Sequence, residues 1–248
     1  MDWAGLLRRR IKAARKRGAS WVRWLDLLRL IPTSEGRARL WTRLVHADEV
    51  HQTTPFTAED RYPELFDLAA RLAPEAKRIL SFGCSTGEEL DAIRRRFPRA
   101  EIVGAEINPR CRRIAARRTS GDPRIKVVPP REIDGPFDVM FVLAVFQREP
   151  HKINEMDTQD ISSHYPFARF DAALSDLVGR LSRGGLLCVS NSQYRVEDSS
   201  ISRELEPVKQ SPEAPGPFFA RDGRRLGEAS GRSIFRQRDP SGRQGAGR

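Results

Sequence analysis

The stretch Ile79-Leu80-Ser81-Phe82-Gly83-Cys84-Ser85-Thr86-Gly87-Glu88-Glu89 decides how this chain is read. Its apolar start predicts a short strand over Arg78–Phe82, the two glycines bound a tight turn, and the acids open a helix over Glu88–Arg96. Arg94, Arg95 and Arg96 close that helix and Pro98 follows it, so the charges complement the helix dipole and the proline is a stop signal. A glycine-bounded turn at the carboxyl end of a strand lets backbone approach a ligand beside a helix N-terminus.

Outward from this turn the strand–helix pattern repeats. Glu101–Ala105 predicts a second strand, Pro109–Arg118 a second helix and Ile125–Val128 a third strand. Phe137–Val145 is almost continuously apolar, as a strand covered on both faces should be. Phe170, Leu174, Leu177, Val178 and Leu181 share one face of a helix expected over Phe167–Leu181. Arg183-Gly184-Gly185 is then expected to turn the chain into a fifth strand, Leu186–Ser190. Such alternation predicts an α/β fold: right-handed βαβ units in a Rossmann-like, doubly wound, mostly parallel sheet with helices on both faces. Further on, the four prolines within 207–217 mark a loop, while Phe218–Phe219 and Ser233–Phe235 read as two late edge strands. The expected organisation is a basic helical extension (1–50), the α/β domain (51–235) and a disordered Arg/Gly-rich tail (236–248).

The net charge of +11 over 248 residues invites a nucleic-acid reading, but its location argues otherwise. Residues 1–31 carry nine Lys/Arg against two Asp, and residues 221–248 carry eight Arg against three acids. What lies between is therefore near neutral, so the domain was not built around a polyanion. Within the first segment Trp21, Trp24, Leu25 and Leu28 recur at helical spacing. That stripe suits either a cap packed on the domain or peripheral contact with an anionic membrane. No apolar run is long enough to span a bilayer, the start lacks a secretory h-region, and Cys84, Cys111 and Cys188 fit neither a zinc site nor a disulfide framework. A reduced cytoplasm and no metal are expected.

Glu106 follows the second strand, 19 residues after Gly87. A carboxylate there can accept hydrogen bonds from both hydroxyls of a ribose, so the turn and the acid converge on one nucleoside-like ligand. Cys84-Ser85-Thr86 breaks the G-x-G-x-x-G pattern of dinucleotide sites, and no Gly-Lys-Ser/Thr follows for a phosphate loop. Glu88 and Glu89 disfavour a polyanionic cofactor and tolerate a cationic one.

These residues resemble motif I of the class I S-adenosylmethionine-dependent methyltransferases, and Cys-Ser-Thr-Gly-Glu-Glu is similar to the turn of the chemotaxis-receptor methyltransferases. Ile102–Pro109, Phe137–Val145 and Leu181–Leu187 resemble three further motifs of the class, in order, over roughly residues 76–195. The resemblance implies S-adenosylmethionine as cofactor. Phe82, Gly83, Cys84, Ser85, Thr86 and Gly87 would follow its methionine part, with Gly83, Cys84 and Gly87 acting through backbone. Glu106 would hold the ribose, Ile107 would pack on adenine with Asn108 beside it, and Pro130 and Arg131 would lie at the adenine edge. Leu143, Ala144 and Val145 would begin a lip, running to Gln147, between methionine and acceptor. Asp or Asn, frequent in the class at the adenine edge, is missing here, as is the Asn/Asp-Pro-Pro-Tyr/Phe of amino-methylating nucleic-acid enzymes.

His51, His151, His164 and Tyr165 lie outside the shared motifs, where acceptor-binding segments are expected, and are candidate bases. Histidines at such positions are more often ordinary surface or loop residues. Cys84 sits in the cofactor turn without a local histidine, a poor setting for a nucleophile. The expected acceptor is a small molecule. The alternatives are an RNA or protein acceptor, with the basic ends as tethers, and a non-catalytic scaffold that binds the cofactor.

Overall fold

The computed structural model describes Thr33, Gly36, His51 and residues 61–239. The chain divides into two compact units, residues 1–47 and 48–248. The basic helices expected in residues 1–31, residues 52–56 of the segment after His51, and the tail beyond residue 239 lie outside the described residues.

The described chain runs α1 (Pro63–Leu72), β1 (Arg78–Phe82), α2 (Glu88–Arg96), β2 (Glu101–Ala105), α3 (Pro109–Arg118) and β3 (Ile125–Val128). It continues through β4 (Phe137–Leu143), α4 (Pro150–Glu155), α5 (Phe167–Val178) and β5 (Leu181–Ser190) to β6 (Leu205–Pro207), β7 (Glu213–Ala214), β8 (Gly231–Arg232) and β9 (Ile234–Gln237). Seven strands form one sheet in the order β3-β2-β1-β4-β5-β9-β6. The first five are parallel, whereas β9 runs antiparallel to both β5 and β6. The strand order reverses between β1 and β4, which opens a crevice at their carboxyl ends.

Both sheet faces are buried, and β4 shows why its sequence is apolar throughout. Met140 and Val142 face a core with Phe146, Phe170, Leu174 and Val178, the last three supplied by the stripe on α5. Val139, Phe141 and Leu143 face the opposite core, with Leu65 and Phe66 of α1 and Leu90 and Ile93 of α2. At the amino end of the sheet Asp138 ties three strands together. Its carboxylate accepts from the Lys77 and Arg78 amides (2.8 and 3.1 Å) and from the Ser182 hydroxyl (3.1 Å).

The strand–helix alternation through β3 matches the sequence expectation residue for residue, and the later part departs from it. The last helix stops at Val178 and Leu181 already belongs to β5, pairing with Phe137. Arg183-Gly184-Gly185 is therefore an irregularity inside a ten-residue strand, with Gly184 at φ +72°. A Cβ on Gly185 would lie 2.7 Å from the Ser182 carbonyl oxygen, so the glycines let the strand kink where the β4 register shifts. The fourth strand ends at Leu143 because Ala144 turns to φ +57°. Phe218 and Phe219 do not join the sheet. Phe219 makes an isolated bridge to Arg225 and both rings are buried, so their apolar character serves the core. The edge strand is Leu205–Pro207 instead, where a proline is tolerated. Within the proline-rich loop, Glu213–Ala214 pairs with Gly231–Arg232. Strand β9 also extends two residues into the stretch read as tail.

Candidate cofactor and acceptor site

The carboxyl end of the sheet gathers the sequence-quoted residues around Glu106. Gly83 and Cys84 donate their amides to the Ala105 carbonyl (2.8 and 3.2 Å), which pins the turn to the end of β2. The Glu106 carboxylate then bridges two loops, one oxygen to each. Oε2 accepts the Ser85 amide at 2.9 Å, and Oε1 accepts the Asn108 amide at 2.6 Å. Burial pushes the Glu106 carboxyl up, while the two amides and the Arg112 guanidinium pull it back. Ser85 sits at φ +50°, and its hydroxyl oxygen is buried with no hydrogen-bond partner among the described residues. An unpartnered buried hydroxyl beside a ribose-competent carboxylate fits a polar ligand better than a finished core.

The two glycines, expected to let backbone approach a ligand, are also required by the packing around the turn. A Cβ on Gly83 would lie 2.5 Å from Val145 Cγ2, and one on Gly87 would lie 3.1 Å from Ala115 Cα. Both residues have positive φ, +84° and +96°. Gly83 thus brings the turn against the lip after β4, and Gly87 brings α2 against α3. Cys84 faces inward: its thiol is buried, would meet a Cβ on Gly104 at 2.9 Å, and is pushed well up by burial. That is no nucleophile.

The paired acids separate. Glu88 accepts from the Thr86 hydroxyl (2.7 Å) and from Arg118 of α3 (2.9 Å). Arg118 also donates to the Thr86 carbonyl, so an arginine does reach this turn, although none is near it in sequence. Glu89 points toward the sheet, where it accepts the Ser81 hydroxyl at 2.8 Å. Burial pushes its carboxyl up to about 7, against the pull of Ser81 and Arg61. Sequence reading took the two acids as one charge, because only packing assigns α3 to one and β1 to the other.

Where the adenine is expected, Ile107 is half-buried, and Pro130 and Arg131 lie in a helical turn after β3. The Arg131 side chain is 76% exposed. Asn108 caps α3 with its side chain, accepting from the Arg110 and Cys111 amides, and only its backbone meets Glu106. The lip after Leu143 is held by Ala144 donating to the Ser190 carbonyl (2.8 Å), with Val145 and Phe146 buried behind it.

Of the four candidate bases, the fold brings two together. His51 Nδ1 and the Tyr165 hydroxyl share a 2.7 Å hydrogen bond across 114 residues of sequence, and the His51 ring stands edge-on to Phe146 at 5.2 Å. Tyr194 donates to the Tyr165 carbonyl at 2.5 Å. Burial, with Arg169 and Arg148 nearby, lowers His51 to about 4, and burial raises Tyr165 well above its usual value. His151 is exposed on α4, and His164 is exposed with Ser163 as its neighbour. Among the described residues no group of His, Cys, Asp and Glu could hold a metal, and no helix is long and apolar enough to cross a membrane.

Sequence reading missed Tyr62 and Asn191. Tyr62 precedes α1, and its hydroxyl accepts from Asn191 Nδ2 at 2.6 Å, just past β5, and from Arg61 Nη2 at 3.1 Å. No local pattern links residues 129 positions apart.

A crevice at the strand-order reversal, with an acid after β2 and a glycine turn after β1, is an arrangement that can take a nucleoside in a doubly wound fold. Residues 57–175 match the family described as methyltransferase domain. That segment is a methyltransferase domain, an enzyme domain whose cofactor is S-adenosylmethionine. No curated protein matches it by sequence. Among solved structures, it is similar to the N-methyltransferase NodS from Bradyrhizobium japonicum WM9 in complex with S-adenosyl-L-homocysteine. That similarity is 16% identity and TM-score 0.48, covering 80% of this chain and 98% of that one. The plantazolicin methyltransferase BpumL, in complex with SAH, is similar at 14% identity and TM-score 0.38, covering 74% of this chain and 61% of that one. At these values the likenesses add no weight to the family match.

Proposed function

We propose that this methyltransferase acts on a small-molecule acceptor and holds its cofactor at the carboxyl end of β1 and β2, with Glu106 on the ribose. The observation that carries the site is the Glu106 carboxylate, placed with one oxygen at each of two loops and beside the unpartnered Ser85 hydroxyl. Ile107 and Pro130 flank the adenine, the Gly83–Gly87 turn follows the methionine chain, and Leu143–Val145 separates the cofactor from the acceptor. Glu89 offers a carboxylate to the ammonium group, one of its oxygens being oriented by Ser81. Bound there, S-adenosylmethionine supplies an electrophilic methyl that passes in one displacement to an acceptor lone pair, while the C–S electron pair returns to sulfur.

Alignment carries most of the rate in such a displacement, so the residues behind the lip matter more than a base. His51 at about 4 is a weak base near neutral pH, and the Tyr165 hydroxyl keeps its proton. The pair is a buttress: it fixes Phe146, and through it the lip, against α5. The near-neutral stretch between residues 31 and 221 supports a small acceptor over a polyanionic one. A macromolecular acceptor reached through the basic ends would instead show activity falling steeply with salt.

The test is calorimetric titration of the full chain with S-adenosylmethionine. Wild type should bind, and Glu106→Ala should lose about a hundredfold in affinity, since two hydrogen bonds to a charged group are worth roughly 3 kcal/mol or more. Folded wild type that fails to bind, or a mutant that binds equally, overturns the assignment.

A further inference from the structure

We propose that α3 and the outer strand β3 form a docking face for the phosphate backbone of duplex nucleic acid, apart from the site that receives the methyl group. The near-neutral total across the middle of the chain hides a segregation. Residues 107–131 carry eight Lys/Arg against Asp122 alone, whereas residues 132–220 carry fourteen acids against eight Lys/Arg.

Local helix physics does not account for this charge. Five of the ten residues of α3 are arginine and none is acidic. Helix α2 obeys its dipole, with Glu88, Glu89 and Asp91 opening it and arginines closing it. In α3, Arg110 occupies the first turn instead, where a cation is unfavourable. Arg110, Arg113 and Arg117 recur at i, i+3 and i+7, on the face away from buried Cys111 and Ala115. Like charges at that spacing repel. Two of the five arginines serve the fold: Arg112 donates to the Glu106 carbonyl, and Arg118 pairs with Glu88 and Asp91. Arg113 donates only to the Pro109 carbonyl of its own helix, which leaves its charge without an acid. Arg110 and Arg117 have no side-chain partner among the described residues.

Strand β3 continues the face. It is the outermost strand of the sheet and packs beside α3; Lys126 is exposed on it, and Arg124 just before it. A lysine on an edge strand also deters stray strand pairing, which accounts for Lys126 but not for the arginines of α3.

The occupant follows from what the face lacks. Among the described residues the one exposed large apolar side chain is Met156, at the end of α4. A protein partner needs an apolar centre, single-stranded bases need aromatic platforms, and a bilayer takes up apolar side chains. Duplex backbone needs none of these, because counterion release gives affinity from charge alone. The planar fork of arginine also pairs with two phosphate oxygens, where lysine offers a point charge. The stripe from Arg110 to Arg117 is about 10 Å long, a length over which a duplex presents about six phosphate charges. Strand β3 lies three strands from β4, about 14 Å at ordinary strand spacing, and the lip that borders the acceptor follows β4. The duplex is therefore a mooring for the enzyme and not its methyl acceptor.

The experiment follows binding of the full chain to a fluorescent DNA duplex of about 20 base pairs, by anisotropy, between about 0.05 and 0.3 M salt. One variant combines Arg110→Gln, Arg113→Gln and Arg117→Gln. A control combines Arg183→Gln, Arg203→Gln and Lys209→Gln, which removes the same charge from exposed positions elsewhere. Both keep the basic ends. The first should lower the slope of log affinity against log salt by about 2 to 3, and weaken binding about a hundredfold at about 0.1 M salt. The control should leave the slope within about 0.5 of wild type, and Arg113→Gln or Arg117→Gln alone should lower it by about 1. No binding by wild type, an unchanged slope in the first variant, or equal falls in both variants would each overturn the face. Tighter binding to phosphatidylserine vesicles or to polyglutamate, dependent on the same three arginines, would assign it to a membrane or an acidic protein and overturn the duplex. Glutamine keeps helix propensity and removes like-charge repulsion, so the first variant should melt no lower than wild type. A clearly lower melt would return these arginines to the fold and overturn the proposal.

Discussion

The two ends of the same strands are built by opposite rules. At the amino end, Asp138 accepts three hydrogen bonds from the fold itself, and Arg78 reaches the carbonyls of Pro136 and Asp134. At the carboxyl end, Glu89 accepts one hydrogen bond, the Ser85 hydroxyl has none among the described residues, and both Glu89 and Glu106 are raised by burial. Ser85, Ala144 and Asn191, all at positive φ without being glycine, follow β1, β4 and β5 there. Completed polar contacts hold a fold together; incomplete ones beside strained backbone mark where a ligand finishes the structure.

The sharpest way to break this contrast is to exchange the roles of the two acids. Asp138→Ala should destabilise the chain by about 1–2 kcal/mol, because the Lys77 and Arg78 amides and the Ser182 hydroxyl lose their acceptor, and leave S-adenosylhomocysteine affinity within about twofold. Glu106→Ala should lose roughly a hundredfold in affinity, with a stability loss at least as large as that of Asp138→Ala because the Ser85 and Asn108 amides lose their acceptor. Denaturant melts and titrations on both proteins decide it; if Asp138→Ala abolished binding in a folded protein, the division would be wrong.

Next in size is a pH effect behind the lip. His51 has a folded value near 4 against 6.5 unfolded, so between those values the unfolded chain binds the extra proton. Stability from this residue is complete above about 6.5 and is lost as pH falls toward 4, by about 3 kcal/mol at most. His51→Gln should flatten that slope in urea melts followed from pH 7 to 4.

Glu89 acts with the opposite sign. Its folded value near 7 exceeds the unfolded 4.5, so its ionisation progressively destabilises the empty protein as pH rises from 4.5 to 7. An ammonium ligand favours the ionised acid, so cofactor affinity should fall by up to about tenfold per pH unit below 7. Glu89→Gln should bind more weakly at pH 8 and lose that pH dependence. An unchanged slope would detach Glu89 from the ammonium. The smallest effect is expected at Ala144, where glycine should relieve backbone strain and change stability by under about 1 kcal/mol, with turnover slowed by a looser lip.

How far the sequence carried the reading varies along the chain. Through β3 each strand and helix is a local event: an apolar run, a glycine turn, acids opening a helix and arginines closing it. Those signals lie within ten or so residues, and the structure follows them. After β4 the determinants become long-range. Leu181 is a strand residue because Phe137 pairs with it, and Phe219 is core because the chain folds back over it. The same division runs through the site. Glu106 was legible because its partner turn lies one βα unit away, whereas Glu88 and Glu89 were inseparable until α3 supplied Arg118 to the first.

The sequence by itself determined the class: the ordered strand–turn–helix motifs, the acid after the second strand and the absence of phosphate-binding residues point to one kind of cofactor. Hydrophobic period and turn chemistry are local, and they are written residue by residue. Only the tertiary structure decided that Gly83 makes room for Val145, that His51 meets Tyr165 across 114 residues, and that Asn191 grips Tyr62 across 129. Such contacts join segments whose separation along the chain carries no pattern, and they exist only once the sheet has brought its carboxyl ends to one edge.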